Sequence, residues 1–501
     1  YLTIESMIRE TGELYFDIDS VASREAIKKY NSSLDQWECS NGFMINEENG
    51  FLSIASYETT TIFILNKLLK FSKISNRGQR ESNLRYLKQC NINFEDPLKK
   101  VALQKLFVNS QVMLIYGAAG TGKTTLINYI SNMMNQSKKL FLTKTHTALQ
   151  NLERRIENPG LDSDFISIDS FTKTITLTDY DIVFVDECST IDNRTMKRLL
   201  EKIDESTLLV LAGDIYQIES IDFGNWFYYA KDIIKTDGAN VELLNTWRTD
   251  KKELKGLWDE VRKIQPIITE KLAIDGPFSA DIGEEIFVSQ DEDEIVLCLN
   301  YDGKFGLNNM NLYFQNANTK SEVYTWAEWT FKVGDPVIFL DTKRSPILYN
   351  NLKGRIVDIS KRDSAILFTL DIDTILTERQ CRNESFEFVD VTDRGTRIRL
   401  EVIDDESAPE EERFKTIIPF QIAYAVSIHK AQGLEYNSVK IIIPSYNAEK
   451  ISHSIFYTAI TRAKEKLKIF WSAETMKAIV ESFDKEKIGQ RTLKFIEKKL
   501  E

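Results

Sequence analysis

Residues 112–124 read Val-Met-Leu-Ile-Tyr-Gly-Ala-Ala-Gly-Thr-Gly-Lys-Thr, and this stretch narrows the possible folds more than any other. The apolar run Val112–Tyr116 predicts a buried strand, and helix-forming sequence runs on from Thr124 to Met134. Between them lies GxxxxGK[ST], in the strand–loop–helix context that gives the pattern its meaning. Gly117, Gly120 and Gly122 let the backbone turn its N–H groups inward around phosphate oxygens, and the helix N-terminus adds its positive end. Lys123 is placed for the β- and γ-phosphates and Thr124 for a magnesium ion, so ATP with Mg2+ is the expected cofactor pair.

Downstream, short apolar runs alternate with helical stretches: Leu140–Thr143, Asp164–Ile168, Asp181–Val185 and Thr207–Leu211. Such runs predict a parallel α/β sheet. Asp186 and Glu187 stand at the end of the run Asp181–Val185, on the sheet edge where ligands bind. An isolated Asp-Glu pair is usually a surface turn. After a buried strand downstream of a phosphate loop, Asp186 is suited to hold the metal and Glu187 to act as general base on water. A second α/β group is split, with Val241–Leu244 and Glu294–Leu299 in front and Val439–Pro444 and Leu467–Trp471 behind. Between the halves the period changes to two, over Pro336–Leu340, Gly354–Ile359, Ala365–Ile372 and Thr396–Ile403, which predicts an inserted antiparallel barrel. The acidic run Asp404–Glu412 reads as a solvated loop closing that insertion.

Composition removes several classes. Among 501 residues, 42% are hydrophobic and no run approaches the roughly 18 apolar residues of a membrane span. The 64 Lys+Arg against 76 Asp+Glu give a net charge of −12, which argues against a tail-driven polyanion binder but leaves room for a strand held in a local groove. Five scattered cysteines without a CxxC pair read as a reducing compartment with no zinc site or disulfide framework. The chain opens on Tyr1 with no signal-peptide pattern, which leaves room for an upstream segment; the expected location is the cytoplasm. Residues 1–92 show amphipathic helix (Thr60–Phe71) and a hairpin turn at Asn49–Gly50, with no catalytic signature.

The order of further motifs carries a resemblance. Gly213-Asp214-Ile-Tyr-Gln217 follows the strand Thr207–Leu211, and Asn245-Thr-Trp-Arg248-Thr follows the next. Ala425-Val-Ser427-Ile-His429-Lys-Ala-Gln432-Gly433-Leu-Glu435 and Tyr457-Thr-Ala-Ile-Thr461-Arg462-Ala463 lie near the C-terminus. Lys144-Thr145-His146-Thr147-Ala148 and Ser167-Ile-Asp-Ser170-Phe171 complete the set. From about residue 95 onward the chain resembles the superfamily 1B, RecD-like, ATP-dependent DNA helicases. The resemblance implies that Gln104 reads adenine, that Thr125, Gly433 and Glu435 help bind nucleotide, and that Gln217 senses the γ-phosphate. It implies that Arg248 and Arg462, both placed in the second α/β unit, reach the γ-phosphate when the two units close on ATP. Thr145, His146, Thr147, Ser170, Ser427 and His429 resemble donors to a sugar-phosphate backbone, which position a strand without reading its sequence. Trp247, Trp326 and Trp329 could stack bases, with core packing favoured at all three.

The implied architecture is α/β, with two RecA-like P-loop parallel-sheet domains, a small Src-homology-3-like barrel inserted in the second, and an extra N-terminal domain. The expected ranges are 1–92 for the N-terminal domain, 93–225 for the first RecA-like domain, 226–329 with 416–501 for the second, and 330–415 for the barrel. The expected activity is 5′-to-3′ translocation on single-stranded DNA. The same motor on RNA is one alternative. The other is an ATP-gated DNA-binding module whose N-terminal residues contact a protein partner such as a nuclease. Only Thr172–Tyr180 fills the place where this family often carries a strand-splitting pin, so translocation is expected over vigorous duplex separation.

Overall fold

The computed structural model describes residues 1–500 except 77, 90–95, 161, 174–178, 219, 221, 275, 290, 320, 341–343, 346, 363, 394, 405–412 and 484–489. Most of the segment considered for a pin, and nearly all of the acidic run, therefore lie outside the described residues. The chain forms two compact units, Tyr1–Asp250 with Ser482–Glu501, and Lys251–Glu481.

The first unit is built on a six-stranded sheet in the order Ser163–Ser167, Lys139–Thr143, Ile182–Val185, Leu208–Gly213, Val112–Gly117, Asn240–Leu243. Every pairing is parallel. The central strands are apolar throughout because helices cover both faces, which is why they read as unbroken runs rather than alternations. The last strand corrects one expectation. Val241–Leu244 was assigned to the second sheet, but Asn240–Leu243 pairs with Val112–Gly117, Leu114 opposite Asn240 and Gly117 opposite Leu243. A four-residue strand carries no label for its sheet; the open edge of Val112–Gly117 captures it. The first compact unit consequently runs on to Asp250 rather than ending near 225.

The N-terminal residues do not form a core of their own. Ile4, Ile8, Leu52, Ile64 and Leu68 share one apolar cluster with Val112, Leu114, Val183, Leu211 and Trp226 of the sheet layer. Helix Ala55–Ser72 lies on helices Asn193–Lys202 and Trp226–Ile233. Asn193 Nδ2 donates to Thr61 Oγ1 (2.7 Å), and Asn225 Nδ2 and Tyr229 Oη donate to the Gly12 carbonyl (3.0 and 2.8 Å). Amphipathic periodicity announces a buried face but not the partner it is buried against. The hairpin is present as expected: Ile45–Glu48 pairs with Phe51–Ile54, and Asn49 and Gly50 take φ of 53° and 82°, as a tight two-residue turn requires. The C-terminal residues return to this unit as well, with Leu14 N donating to Thr492 Oγ1 (2.9 Å) and Ile496 fully buried.

A buried carboxylate fastens that return. Glu58, 3% exposed, accepts from Tyr15 Oη (2.8 Å), Ser53 Oγ (2.7 Å) and Asn46 Nδ2 (3.1 Å), and pairs with Lys499. Burial pushes its carboxyl up, but Lys499 and the three neutral donors outweigh that and hold it below the ordinary value. Its contribution to stability is therefore full at neutral pH and is lost as the pH falls through the depressed value. Lys499→Met is expected to lower the unfolding free energy by about 3 kcal/mol, measured by denaturant titration, because a buried charge loses its partner. An unchanged midpoint would mean that the neutral donors suffice.

The second unit holds a five-stranded parallel sheet in the order Ser279–Ala280, Ala463–Phe470, Tyr436–Ile442, Glu294–Cys298, Ala425–Ser427. It also holds a six-stranded antiparallel sheet in the order Glu387–Thr392, Gly395–Ile403, Ala365–Ile372, Lys353–Arg362, Pro336–Phe339, Phe420–Ile422. Fully buried Asp335 ties the two ends of this insertion together. It accepts from Gln315 Nε2 (2.6 Å), the Lys332 backbone (2.8 Å) and Tyr424 Oη (2.9 Å), and burial raises its carboxyl. Among the described residues no helix is long and apolar enough to cross a membrane.

Candidate nucleotide and strand sites

The phosphate loop has the backbone its glycines predict. Gly120 and Gly122 adopt φ of 76° and 83°, and helix Lys123–Met133 starts directly from Gly122. Lys123 Nζ donates to the Gly117 and Ala118 carbonyls at the start of the loop (2.8 and 3.1 Å). Burial lowers its ammonium below the ordinary value, with the charge of Arg248 adding to this, while the charges of Asp214, Asp186 and Glu187 act in the opposite direction.

Thr124 Oγ1 donates to Asp186 Oδ2 (3.2 Å), so the two residues expected to share a metal are in contact. Both offer hard oxygen donors, and magnesium commonly takes only one or two protein ligands beside water and phosphate, so the pair fits such an ion. Glu187 sits at φ 57°, an unusual conformation for a residue with a side chain. It is held by its N–H to Asp186 Oδ1 (2.8 Å) and by its carbonyl, which accepts from Thr190 N (2.9 Å) and Thr190 Oγ1 (2.8 Å). Backbone strain of this kind collects at functional sites. Gln217 Nε2 donates to Asp214 Oδ2 (3.2 Å), at the end of the strand Leu208–Gly213.

Arg248 is the main correction at the site. The sequence placed it in the second α/β unit; it belongs to the first, on the phosphate loop itself. Thr246 Oγ1 donates to the Ala119 carbonyl (2.8 Å) and Trp247 N to the Gly120 carbonyl (2.8 Å). A Cβ on Gly120 would lie 2.4 Å from Arg248 Cβ, so only glycine lets this segment close on the loop. The cause is the strand Asn240–Leu243, which delivers Asn245–Thr249 to the same sheet edge as Gly117, Asp186 and Asp214. Gln104 lies half-buried on helix Pro97–Lys105, and Thr125 is exposed on the first turn of helix Lys123–Met133.

The remaining residues expected at the nucleotide belong to the second unit. Arg462 is 1% exposed, its Nε donating to the Thr458 carbonyl (2.9 Å), Nη1 to the Leu434 carbonyl (3.2 Å) and Nη2 to Thr461 Oγ1 (3.2 Å). It thereby braces the turn Gly433–Glu435, where Gly433 takes φ 78° and Glu435 pairs with Lys464 (3.4 Å).

The strand-contact candidates divide in the same way. In the first unit Thr145 caps helix His146–Arg155 by accepting from Ala148 N (3.2 Å), and Thr145 and His146 are exposed. The side chain of Thr147 lies outside the described residues. Ser167 Oγ donates to Ser170 Oγ (2.8 Å). Lys144 joins these segments by ion pairs to Asp169 (3.0 Å) and Asp192 (3.3 Å). In the second unit Ser427 is buried and accepts from Lys430 N (3.1 Å), while His429 is exposed. Of the three tryptophans, Trp326 is buried, but Trp247 and Trp329 are 46% and 58% exposed, against the core packing expected of them. The rim position of Trp247 was hidden in the sequence by the misplaced strand before it.

A phosphate loop, a carboxylate pair and an arginine converging on one edge of a parallel sheet define a P-loop nucleoside triphosphatase. The AAA domain family matches residues 99–274, and the UvrD-like helicase C-terminal domain matches residues 422–469. The RecD subunit of the RecBCD enzyme from Buchnera aphidicola subsp. Acyrthosiphon pisum is 22% identical over 484 residues, covering 76% of this chain and 74% of the relative. The corresponding subunit from Buchnera aphidicola subsp. Schizaphis graminum is 21% identical over 473 residues, 75% and 73% of the two chains. Among solved structures, the Bacteroides Pif1 helicase in complex with ADP-AlF3 and single-stranded DNA has 16% identity and a TM-score of 0.43, covering 72% of this chain and 88% of that one. The two domain matches mark the chain as an ATP-dependent helicase, and its similarity to RecD subunits agrees with the superfamily 1B, RecD-like resemblance of its motifs.

Proposed function

We propose that this chain couples ATP hydrolysis to 5′-to-3′ movement along single-stranded DNA. The observation that carries the reading is the convergence of Lys123, Asp186, Glu187, Gln217 and Arg248 at one sheet edge. In this reading Glu187 takes a proton from the attacking water, and Arg248 and Lys123 face the charge on the transferring phosphoryl group. A magnesium ion held by Thr124 and Asp186 would neutralise charge on the phosphate oxygens. Gln104, Gly117, Gly120, Gly122, Thr125, Gly433 and Glu435 serve nucleotide binding. Thr145, His146, Thr147, Ser170, Ser427 and His429 hold the sugar-phosphate backbone, which positions a strand without reading bases.

The first compact unit is then one RecA-like domain with the N-terminal residues as its cladding, and the parallel sheet of the second unit is the other. The antiparallel insertion is a Src-homology-3-like barrel beside it, and residues 1–92 offer a surface to a protein partner. Steady-state hydrolysis with Mg2+, alone and with matched single-stranded DNA or RNA, tests the reading. Stimulation by DNA of at least about tenfold is expected; stimulation by RNA alone would replace the substrate, and indifference to both would remove the coupling. Arg462→Ala is expected to lose turnover and keep most strand affinity, read by ATPase and fluorescence anisotropy. Lost strand binding with turnover retained would move Arg462 to the strand groove.

A further inference from the structure

One ammonium joins three neighbouring strand ends of the first unit. In its sheet Lys139–Thr143 lies between Ser163–Ser167 and Ile182–Val185, and all three run parallel, so the segments that follow them leave from one edge. Lys144 is the first residue past the middle strand. Its Nζ donates to Asp169 Oδ1 (3.0 Å), beyond one neighbour, and to Asp192 Oδ2 (3.3 Å), beyond the other. On the first side stand residues assigned to the strand: Thr145 and His146 follow Lys144 directly, and Ser170, bonded to Ser167 Oγ, adjoins Asp169. On the other side stands the candidate general base. The Glu187 carbonyl accepts from Thr190 N and Thr190 Oγ1 across the short helix Cys188–Thr190, and two residues later Asp192 caps helix Asn193–Lys202. Asp192 is the firm anchor, 8% exposed and accepting from Thr195 N (2.8 Å) and Thr195 Oγ1 (2.7 Å) as well as from Lys144. Burial pushes its carboxyl up, but the Thr195 donors and Lys144 outweigh that and hold it below the ordinary value. The Asp169 side chain is 45% exposed, so its pair with Lys144 adds little to folding stability.

We propose that Lys144 is a positioning residue through which a strand lying on Thr145, His146 and Ser170 acts on the turn that holds Glu187. The inference rests on the reading of the chain as a strand-coupled ATPase. A sugar-phosphate backbone settling on those residues brings negative charge beside Asp169, which repels that carboxylate and draws on the same ammonium. Lys144 is fixed on the Glu187 side by Asp192, so the shift reaches the base through one side chain. The effect falls on the chemical step in the presence of the strand, and not on the affinity for nucleotide or strand.

The test compares full-length wild type, Lys144→Met, Lys144→Arg, Asp192→Asn and the Lys144→Met/Asp192→Asn double variant. Three measurements are made: ATPase kinetics without DNA and at saturating single-stranded DNA, strand affinity by fluorescence anisotropy, and Tm. Lys144→Met is expected to lower the DNA-stimulated kcat about tenfold. Its basal kcat, KM for ATP and strand Kd are expected to stay within about twofold of wild type, and its Tm within about 3 °C. Lys144→Arg is expected to restore most of the stimulation, because a guanidinium can serve both carboxylates. Asp192→Asn keeps the helix cap but removes the charge, so it is expected to lower stimulation as Lys144→Met does, with the double variant no worse than the poorer single one. Full stimulation in Lys144→Met would overturn the proposal. So would equal falls in basal and stimulated rates with a lowered Tm, which would make Lys144 a structural prop. Weakened strand binding with full stimulation at saturation would overturn it too, by making Lys144 a strand contact. A wild type that hydrolyses ATP but ignores DNA would defeat the strand-coupled reading and this proposal with it, whereas a stimulated wild type matched by Lys144→Met defeats the proposal alone.

Discussion

Lys123→Ala is expected to lower ATP turnover by about 10²–10³-fold or more, with DNA-stimulated and basal rates falling together. The ammonium reaches across the loop to the Gly117 and Ala118 carbonyls and interacts with the charges of Asp214, Asp186 and Glu187. Its removal also leaves those carboxylates facing the nucleotide phosphates with less compensation, which opposes ATP binding as well as phosphoryl transfer. Steady-state hydrolysis over a range of ATP concentrations checks this. A variant with wild-type turnover would mean that Gly117–Thr124 is not the catalytic phosphate site.

Glu187→Gln is expected to bind ATP with near-normal affinity and to hydrolyse it at least about a hundredfold more slowly. Glutamine keeps the size and hydrogen-bonding shape of the side chain but cannot accept the proton of the attacking water. The backbone that aims residue 187 is held independently of the side chain, by the N–H to Asp186 Oδ1 and by the carbonyl to Thr190. The substitution therefore changes proton chemistry without releasing the φ 57° conformation. Single-turnover hydrolysis with prebound ATP separates binding from chemistry, and near-normal single-turnover rates would place the general base elsewhere.

The sequence by itself determined the pieces whose chemistry is local. The loop Gly117–Thr124, the strand before it and the carboxylates at 186 and 187 were legible because a phosphate loop needs glycine at fixed offsets and a fully buried strand needs an unbroken apolar run. The inserted antiparallel strands were legible through their alternation, and Ala365–Ile372 was found with the bounds it has in the fold. What only the tertiary structure decided was assignment across distance. Asn240–Leu243 pairs with Val112–Gly117 rather than with the second sheet, and that one pairing moves Arg248 and Trp247 onto the phosphate loop. The N-terminal helices read as a separate domain until Ile64 and Leu68 joined Val112 and Trp226 in one core. Periodicity records that a face is buried, and spacing records that a loop can hold phosphate. Neither records which distant segment supplies the other side, because that is settled by the competition of whole surfaces for one another when the chain packs.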